Sequence, residues 1–391
     1  MKTFIAVTFC VLLTQSLSAQ QDLIIQGIVS DVPDGATLQL FLQHGNMGVS
    51  VGEDTLRNGR FRFQYPLEGP ERFSIHRKGA EHFGNDYSSS VVIWGEPGST
   101  VIVRGDSPFV RTWKVESDHP EQLLRNRLTD ESREAYIRLE KTDNQNWQTR
   151  QKRNVAAPEE QTLLQLRVDS LDRERDLIIR EIYSNTLGLL EHTDASPLWW
   201  AKLTTISRSL AGDPEFRERI LSIYNELTDE VRDQSAAREI HSILFPPDKI
   251  GVGEQMADAE LKEHGAGMRK LSEFQGKYML LDFWASGCGA FYSSMPELRI
   301  LSEKLTDSLT IVGINLDNSE SAWQFSIDNF GPVTWTNLNA PPGSDVAARY
   351  GINAYPTLFL VSPGGRILES WQGHHPGRIE EELKKYQALE E

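Results

Sequence analysis

The sequence predicts three parts in order: a small all-β sandwich module, an α-helical segment and a C-terminal α/β domain. Three observations support this division. Apolar and polar residues alternate in strand-like fashion over residues 21–115, apolar residues recur at helical spacing over 116–246, and strands alternate with helices over 247–391.

The all-β module is predicted from alternating residues between turn signals. Phe61, Phe63 and Tyr65 alternate with polar residues directly after Asn58-Gly59, a dipeptide typical of hairpin turns. A strand with one buried face is the expected structure there. Further strands are predicted at residues 23–29, 37–42, 91–94 and 100–103.

The helical segment is predicted from one apolar stripe between charged faces. Val168, Leu171, Ile178 and Ile182 fall on one side of a helix. The run Phe245-Pro246-Pro247 ends this segment, because proline disfavours helical backbone at the residue before it.

The α/β domain is predicted from buried strands separated by helices. Residues 278–284 form a continuous apolar strand that only Asp282 interrupts. The other predicted strands are 309–316, 357–361 and 366–371, and the predicted helices are 296–305, 321–329, 344–350 and 377–389.

Residues 1–20 have the features of a signal peptide. Lys2 precedes a short apolar run, and Ser18-Ala19 forms a small-residue exit. The chain is therefore expected to be exported, with the periplasm as the expected compartment. Cys10 lies before the apolar run is complete, which disfavours a lipid anchor at this residue.

Composition excludes several classes of partner. The formal net charge of -16 argues against nucleic acid and anionic membrane surfaces, which both need a basic face. No segment after the signal peptide is apolar for long enough to cross a membrane. We expect neither a metal nor a cofactor, since the adjacent pair His374-His375 lacks further ligands close in sequence.

Cys288 is the residue that points to chemistry. The sequence contains two cysteines, and the other one, Cys10, lies in the predicted signal peptide. After removal of that peptide, one thiol would remain, so no disulfide could form within the chain.

The surroundings of Cys288 carry a family resemblance over roughly the C-terminal third of the chain. The matching stretches are Gly276-Lys277-Tyr278, Leu280 to Ser286, Cys288-Gly289, Met295-Pro296 and Tyr355-Pro356-Thr357. In order and spacing they resemble the thioredoxin-like domains of the TlpA and ResA type, which are exported thiol-disulfide oxidoreductases. This resemblance implies a thioredoxin fold for the C-terminal domain.

The resemblance also implies a site. Cys288 is its candidate catalytic residue, and Asp282 matches the buried carboxylate that helps to deprotonate the second cysteine of dithiol relatives. Pro356 matches a cis proline opposite the cysteine. The residues expected at the substrate groove are Trp284, Gly287, Gly289, Phe291, Tyr355 and Pro356.

Physical chemistry supports a reactive role for Cys288. A cysteine between a strand and the helix that comes after it lies at the positive end of that helix, which favours thiolate over thiol.

The departures from the family lie at the site itself. Phe291 stands where the family has its second cysteine, Ala290 replaces a proline, and Gly287 replaces an aromatic residue. A mixed disulfide on Cys288 would therefore have no internal thiol to resolve it.

Two functions remain open at this point. In the first, the chain is a binding or degenerate redox module that engages thiols or disulfides of proteins or small molecules without internal dithiol turnover. In the second, it is a monothiol oxidoreductase that needs an external thiol, so enzymatic activity stays an open alternative. Peroxidase chemistry is excluded, because Ala285 and Leu281 occupy the positions that need a hydroxyl residue and a proline. For Asp282, a structural remnant is favoured over a catalytic base.

Overall fold

The computed structural model describes residues 21–44, 47–78, 90–286, 288–317, 320–330, 335–340 and 344–387. The predicted signal peptide and Gly287 lie outside these residues. The described chain has the predicted order: two β-sheets, a helical segment and an α/β domain. The fold class predicted from the sequence is confirmed.

The N-terminal sheets pack face to face around one core. Each has four strands, in the orders β4-β1-β7-β8 and β3-β2-β5-β6. Leu23 and Ile25 of the first sheet and Leu38 and Phe73 of the second belong to one buried cluster, as expected of a sandwich. The strands are β1 Gln21–Val29, β2 Thr37–His44, β3 Met47–Thr55, β4 Arg60–Leu67, β5 Glu71–Arg77, β6 Ser90–Gly95, β7 Thr100–Gly105 and β8 Lys114–Glu116.

Seven helices form the middle segment. The two longest, α2 and α3, pack against each other, and the stripe of Val168, Leu171, Ile178 and Ile182 is buried as its spacing predicts. Four of the seven helices begin with proline at the first position, where its missing N–H leaves no hydrogen bond unmade. The helices are α1 Pro120–Glu131, α2 Arg133–Val155, α3 Pro158–Leu190, α4 Pro197–Leu210, α5 Pro214–Glu226, α6 Asp229–Arg232 and α7 Ser235–Leu244.

The α/β domain is built on a seven-stranded sheet in the order β10-β9-β13-β12-β11-β14-β15. Its interior strand β11 pairs in parallel with β12 and antiparallel with β14. The elements are β9 Glu260–Glu263, β10 Met268–Lys270, β11 Tyr278–Trp284, α8 Gly289–Lys304, β12 Leu309–Asn315, α9 Glu320–Phe330, β13 Thr336–Asn339, α10 Val346–Arg349, β14 Thr357–Val361, β15 Ile367–Gln372 and α11 Arg378–Gln387.

All seven residues of β11 are buried, because helices and loops cover both faces of the sheet. Leu280 and Trp284 lie in the core cluster that includes α8, whereas Leu281 and Phe283 lie in the cluster on the opposite face. Since side chains alternate along a strand, Asp282 points to the same face as Trp284. This placement puts the carboxyl group beneath the helix that begins after Cys288.

The prediction for the helix after Cys288 was wrong at its start. Helix α8 begins at Gly289 and runs through Pro296, whereas the sequence suggested a beginning at Pro296. Pro296 removes one helical hydrogen bond, but the burial of Met295 and Leu298 holds the helix against the sheet. Strands β3, β5, β8, β9, β10 and β13 were not predicted.

The three parts contact one another. Arg125 of α1 lies over the ring of Trp94 in β6, 5.4 Å from its centre, and Trp94 N donates to Gln122 Oε1 at 3.3 Å. Helix α9 of the α/β domain contacts β2. Within the described ranges, we find no helix that is both long and apolar enough to span a membrane.

A pair of glycine substitutions tests the sandwich core. A Cβ on Gly27 would lie 1.7 Å from the ring of Phe61, which packs on Trp113, so Gly27→Ala must displace a core ring. We expect it to lower the free energy of unfolding by about 1–3 kcal/mol, measured by urea denaturation.

Gly52→Ala is the matched control in the facing sheet, because the nearest atom to its added Cβ is 3.5 Å away. This variant should be neutral or stabilising by up to about 1 kcal/mol. Equal effects of the two substitutions would contradict the packing described here.

Candidate functional site

Cys288 lies at the junction between β11 and α8 and is the residue that caps the helix N-terminus. Its backbone N–H donates to Ala285 O at 3.3 Å, which closes the loop. The side chain is half-buried, and as a thiol its Sγ donates to Tyr355 O at 3.4 Å. It is a free cysteine, with no second one among the residues described. The sulfur thus lies at a helix N-terminus and against the backbone of a facing loop.

The facing loop contains the expected cis peptide bond, between Tyr355 and Pro356. Pro356 is buried, and its carbonyl accepts from Gly373 N at 2.8 Å. The side chain of Tyr355 is exposed, as is Gly289 on the other side of the sulfur. Cys288, Gly289 and Tyr355 are therefore the groove residues that a partner can reach.

Phe291 and Trp284, which the sequence placed at the groove, lie beneath its surface. Trp284 exposes no surface and Phe291 only 2%. Their rings stack in parallel, with centroids 4.3 Å apart and an interplanar angle of 5°. The position of the family's second cysteine is therefore filled by a core aromatic ring, and both residues support the site through packing.

Asp282 is buried without a partner. Neither carboxylate oxygen forms a hydrogen bond in the part of the chain that the structure describes. Desolvation raises the pKa of this carboxyl group to about 7. No charged group shifts it in either direction, so Asp282 takes up or releases its proton near neutral pH.

A buried polar network that the sequence did not reveal holds the loop before Cys288. Asp317 Oδ2 accepts from Ser286 N at 3.0 Å and from Asn315 Nδ2 at 2.8 Å. Asn339 Nδ2 in turn donates to Asn315 Oδ1 at 2.8 Å. Asn315 and Asn339 end neighbouring parallel strands, and polar residues at two such ends were the available signal.

The helical segment lies beside this site. Arg208 of α4 and Glu239 of α7 form an ion pair with an N···O distance of 2.5 Å. Burial raises the pKa of Tyr355, the charge of Arg208 opposes this shift, and Asp317 and Glu239 reinforce it. The groove thus faces charges from a different part of the chain.

His374, for which the sequence offered no ligand nearby, pairs with a carboxylate distant along the chain. It is half-buried, and its Nε2 lies 2.7 Å from Glu297 Oε2. Glu297 Oε1 also accepts from Gly377 N at 2.9 Å. The carboxylate is 77 positions away along the chain, which is why its pairing was not predicted. No group of three potential metal ligands occurs among the described residues.

Comparison with known proteins agrees with this geometry. Residues 276–367 match a family profile described as thioredoxin-like. The chain is 29% identical over 124 residues to the thioredoxin-like protein YneN of Bacillus subtilis, covering 30% of this chain and 71% of that protein. It is 31% identical over 127 residues to the thiol-disulfide oxidoreductase ResA of Oceanobacillus iheyensis, and this match covers 31% of this chain and 65% of that protein.

A solved thiol-disulfide oxidoreductase from Bacteroides fragilis is also similar, with 26% identity, coverage of 34% of this chain and 99% of that one, and a TM-score of 0.31. From the family profile and these relatives, the C-terminal third of the chain is a thioredoxin-like domain, similar to the ResA-type thiol-disulfide oxidoreductases.

The unpaired carboxyl group of Asp282 makes stability depend on pH. Its folded pKa lies above its ordinary value of 3.8, so the folded state holds a proton that the unfolded chain releases between about pH 4 and pH 7. Stability therefore falls as pH rises through this window. Relative to Asp282→Asn, the wild type should lose on the order of 1.4 kcal/mol for each unit of pKa shift.

Urea denaturation of both proteins at pH 4 to 8 measures this difference. Asp307→Asn, at an exposed position in the same domain, should run parallel to the wild type. An Asp282→Asn protein that also runs parallel would show that Asp282 is solvated or paired.

Proposed function

We propose that this chain is an exported thioredoxin-like module that engages thiols or disulfides of partner molecules through Cys288 and does so without internal dithiol turnover. The proposal for export rests on the signal peptide predicted at residues 1–20. The proposal for the site rests on the groove formed by Cys288, Gly289 and Tyr355 around the cis proline loop.

The burial of Phe291 carries this proposal. Attack of the Cys288 thiolate on a disulfide forms one new S–S bond and releases the other half of the substrate as a thiolate. In a dithiol relative a second cysteine would then attack this bond. Here the corresponding position holds a ring that is stacked on Trp284, so the mixed disulfide persists until a thiol from outside attacks it.

Monothiol exchange is the second candidate, and the accessibility of the sulfur favours it. Cys288 is half-buried, and the neighbouring Gly289 is exposed, so a small thiol can approach the bond. Turnover would then depend on the concentration of the external thiol. Both candidates share the same first step and differ only in the fate of the mixed disulfide.

Reaction with 5,5'-dithiobis(2-nitrobenzoate) tests the shared step and its end point. In a Cys10→Ser background, each chain should release one thionitrobenzoate and keep the other attached at Cys288. Phe291→Cys in the same background should release two and finish with an internal disulfide, because the added thiol resolves the first bond.

Cys288→Ser is the control, and it should release none. Circular dichroism checks that Phe291→Cys remains folded, since the smaller side chain leaves space beside Trp284. Release of two equivalents by the chain that retains Phe291 would refute the proposal, as would an unreactive Cys288. Addition of glutathione then separates the candidates by rate, because monothiol exchange predicts that free Cys288 returns faster from the folded protein than from the same adduct on the urea-unfolded chain, whereas a binding module predicts no such acceleration.

A further inference from the structure

A cavity of about 620 Å³ lies between the β module and the helical segment. Strands β5 and β6 line one side, and helices α1 to α4 line the other. Ser286, two residues before Cys288, also borders it. The volume falls in the range of small-molecule sites.

Four cationic side chains converge on this cavity: Arg72, Arg111, Arg125 and Lys202. None of its lining residues, within the part of the chain described, is aspartate or glutamate. This concentration of positive charge stands out in a chain with a formal net charge of -16. Like charges in a poorly solvated space repel one another, so the arrangement costs stability unless an anion is present.

The protein compensates these charges only in part. The guanidinium of Arg111 lies 5.1 Å from the centre of the Tyr136 ring and 3.5 Å from Glu140 Oε1. Arg125 lies over Trp94, and its buried Nε forms no hydrogen bond with the described residues.

Lys202 lines the cavity and forms no ion pair or hydrogen bond within the described ranges. The negative charge of Glu121 acts on Arg125 and slightly offsets the lowering of its pKa by burial. However, Glu121 Oε2 accepts a hydrogen bond from Leu198 N at 2.7 Å. Positive charge on Arg125 and Lys202 is thus left facing the cavity.

The titration behaviour of these groups agrees with the geometry. Desolvation, reinforced by the charges of Arg125 and Arg111, lowers the pKa of Lys202 to about 7. Desolvation also lowers the pKa of Arg125 to about 10. No carboxylate contributes to the shift of Lys202, as expected for a cation whose partner is not part of the described chain.

We propose that this cavity binds a small organic anion with at least two negatively charged groups, held by Arg125 and Lys202 and flanked by Arg72 and Arg111. Carboxylate and phosphate groups share the anionic oxygens that these donors bind. Apolar side chains such as Leu139, Ile179 and Ile206 complete the wall beside these donors. The site is independent of the redox function of Cys288.

A concave site of this size excludes the large anionic partners, such as nucleic acids and membranes, that usually bind cationic protein surfaces. Duplex nucleic acid and lipid headgroups need an extended basic face, whereas these four cations line one concave pocket. A small molecule is the occupant that fits, in a cavity that Ser286 of the loop before Cys288 also lines.

Calorimetric titration of the full chain with two probes, citrate and pyrophosphate, at matched ionic strength tests the proposal and distinguishes carboxylate from phosphate ligands. Wild-type protein should bind at least one of them, and Lys202→Met should weaken that binding about 10-fold or more. Without a probe, Lys202→Met should unfold at a higher temperature than the wild type, because an unpaired interior cation is gone.

Lys141→Met is the matched control, since Lys141 is exposed on α2 and lies outside the cavity. It should bind as the wild type does, and Lys202→Arg should retain most of the affinity because it keeps the charge. Arg125→Met provides a second variant with the same expected loss. Absence of binding to both probes, unchanged binding in Lys202→Met and Arg125→Met, or an equal loss in Lys141→Met would each overturn the proposal.

Discussion

The stack of Phe291 on Trp284 is the contact on which the site depends. Strand β11 ends at Trp284 and helix α8 begins at Gly289, so Phe291 lies about one turn into the helix and faces the sheet. Its ring lies 4.3 Å from the indole and closes the core directly beneath the loop that bears Cys288. In a dithiol relative this position carries the chemistry of the second step. Here it contributes to packing, and Asp282 lies on the same face with no hydrogen-bond partner among the described residues.

Above this stack, the loop is held by groups that do not react. The network from Ser286 through Asp317 and Asn315 anchors its backbone, and the cis peptide before Pro356 sets the opposite wall. The N-terminal parts also reach this region, because Arg208 and Glu239 act on Tyr355 and because Ser286 borders the cationic cavity. The proposed partner site at Cys288 and the proposed anion site in the cavity therefore lie on two sides of one loop.

The sequence was sufficient for features that depend on local pattern. The alternation around Phe61 and Phe63, the stripe from Val168 to Ile182 and the apolar run of β11 predicted the three parts in their order. Features that depend on partners distant along the chain could not be predicted from the sequence. The short polar strands β9 and β13 form only by pairing with each other and with the central sheet. His374 meets Glu297 through the fold, and the four cations of the cavity come together from strand β5, the turn before β8, and helices α1 and α4.

The most direct test of the central claim is the lifetime of a mixed disulfide on Cys288. Intact mass spectrometry would monitor a Cys10→Ser chain after reaction with a disulfide-bearing peptide, in buffer without added thiol. With Phe291 in the core, the adduct of one peptide should persist over the whole time course and disappear only when an external thiol is added. Failure of the adduct to form, or release of the peptide as a thiol from the desalted adduct with Cys288 left oxidised by another group of the same chain, would contradict the claim.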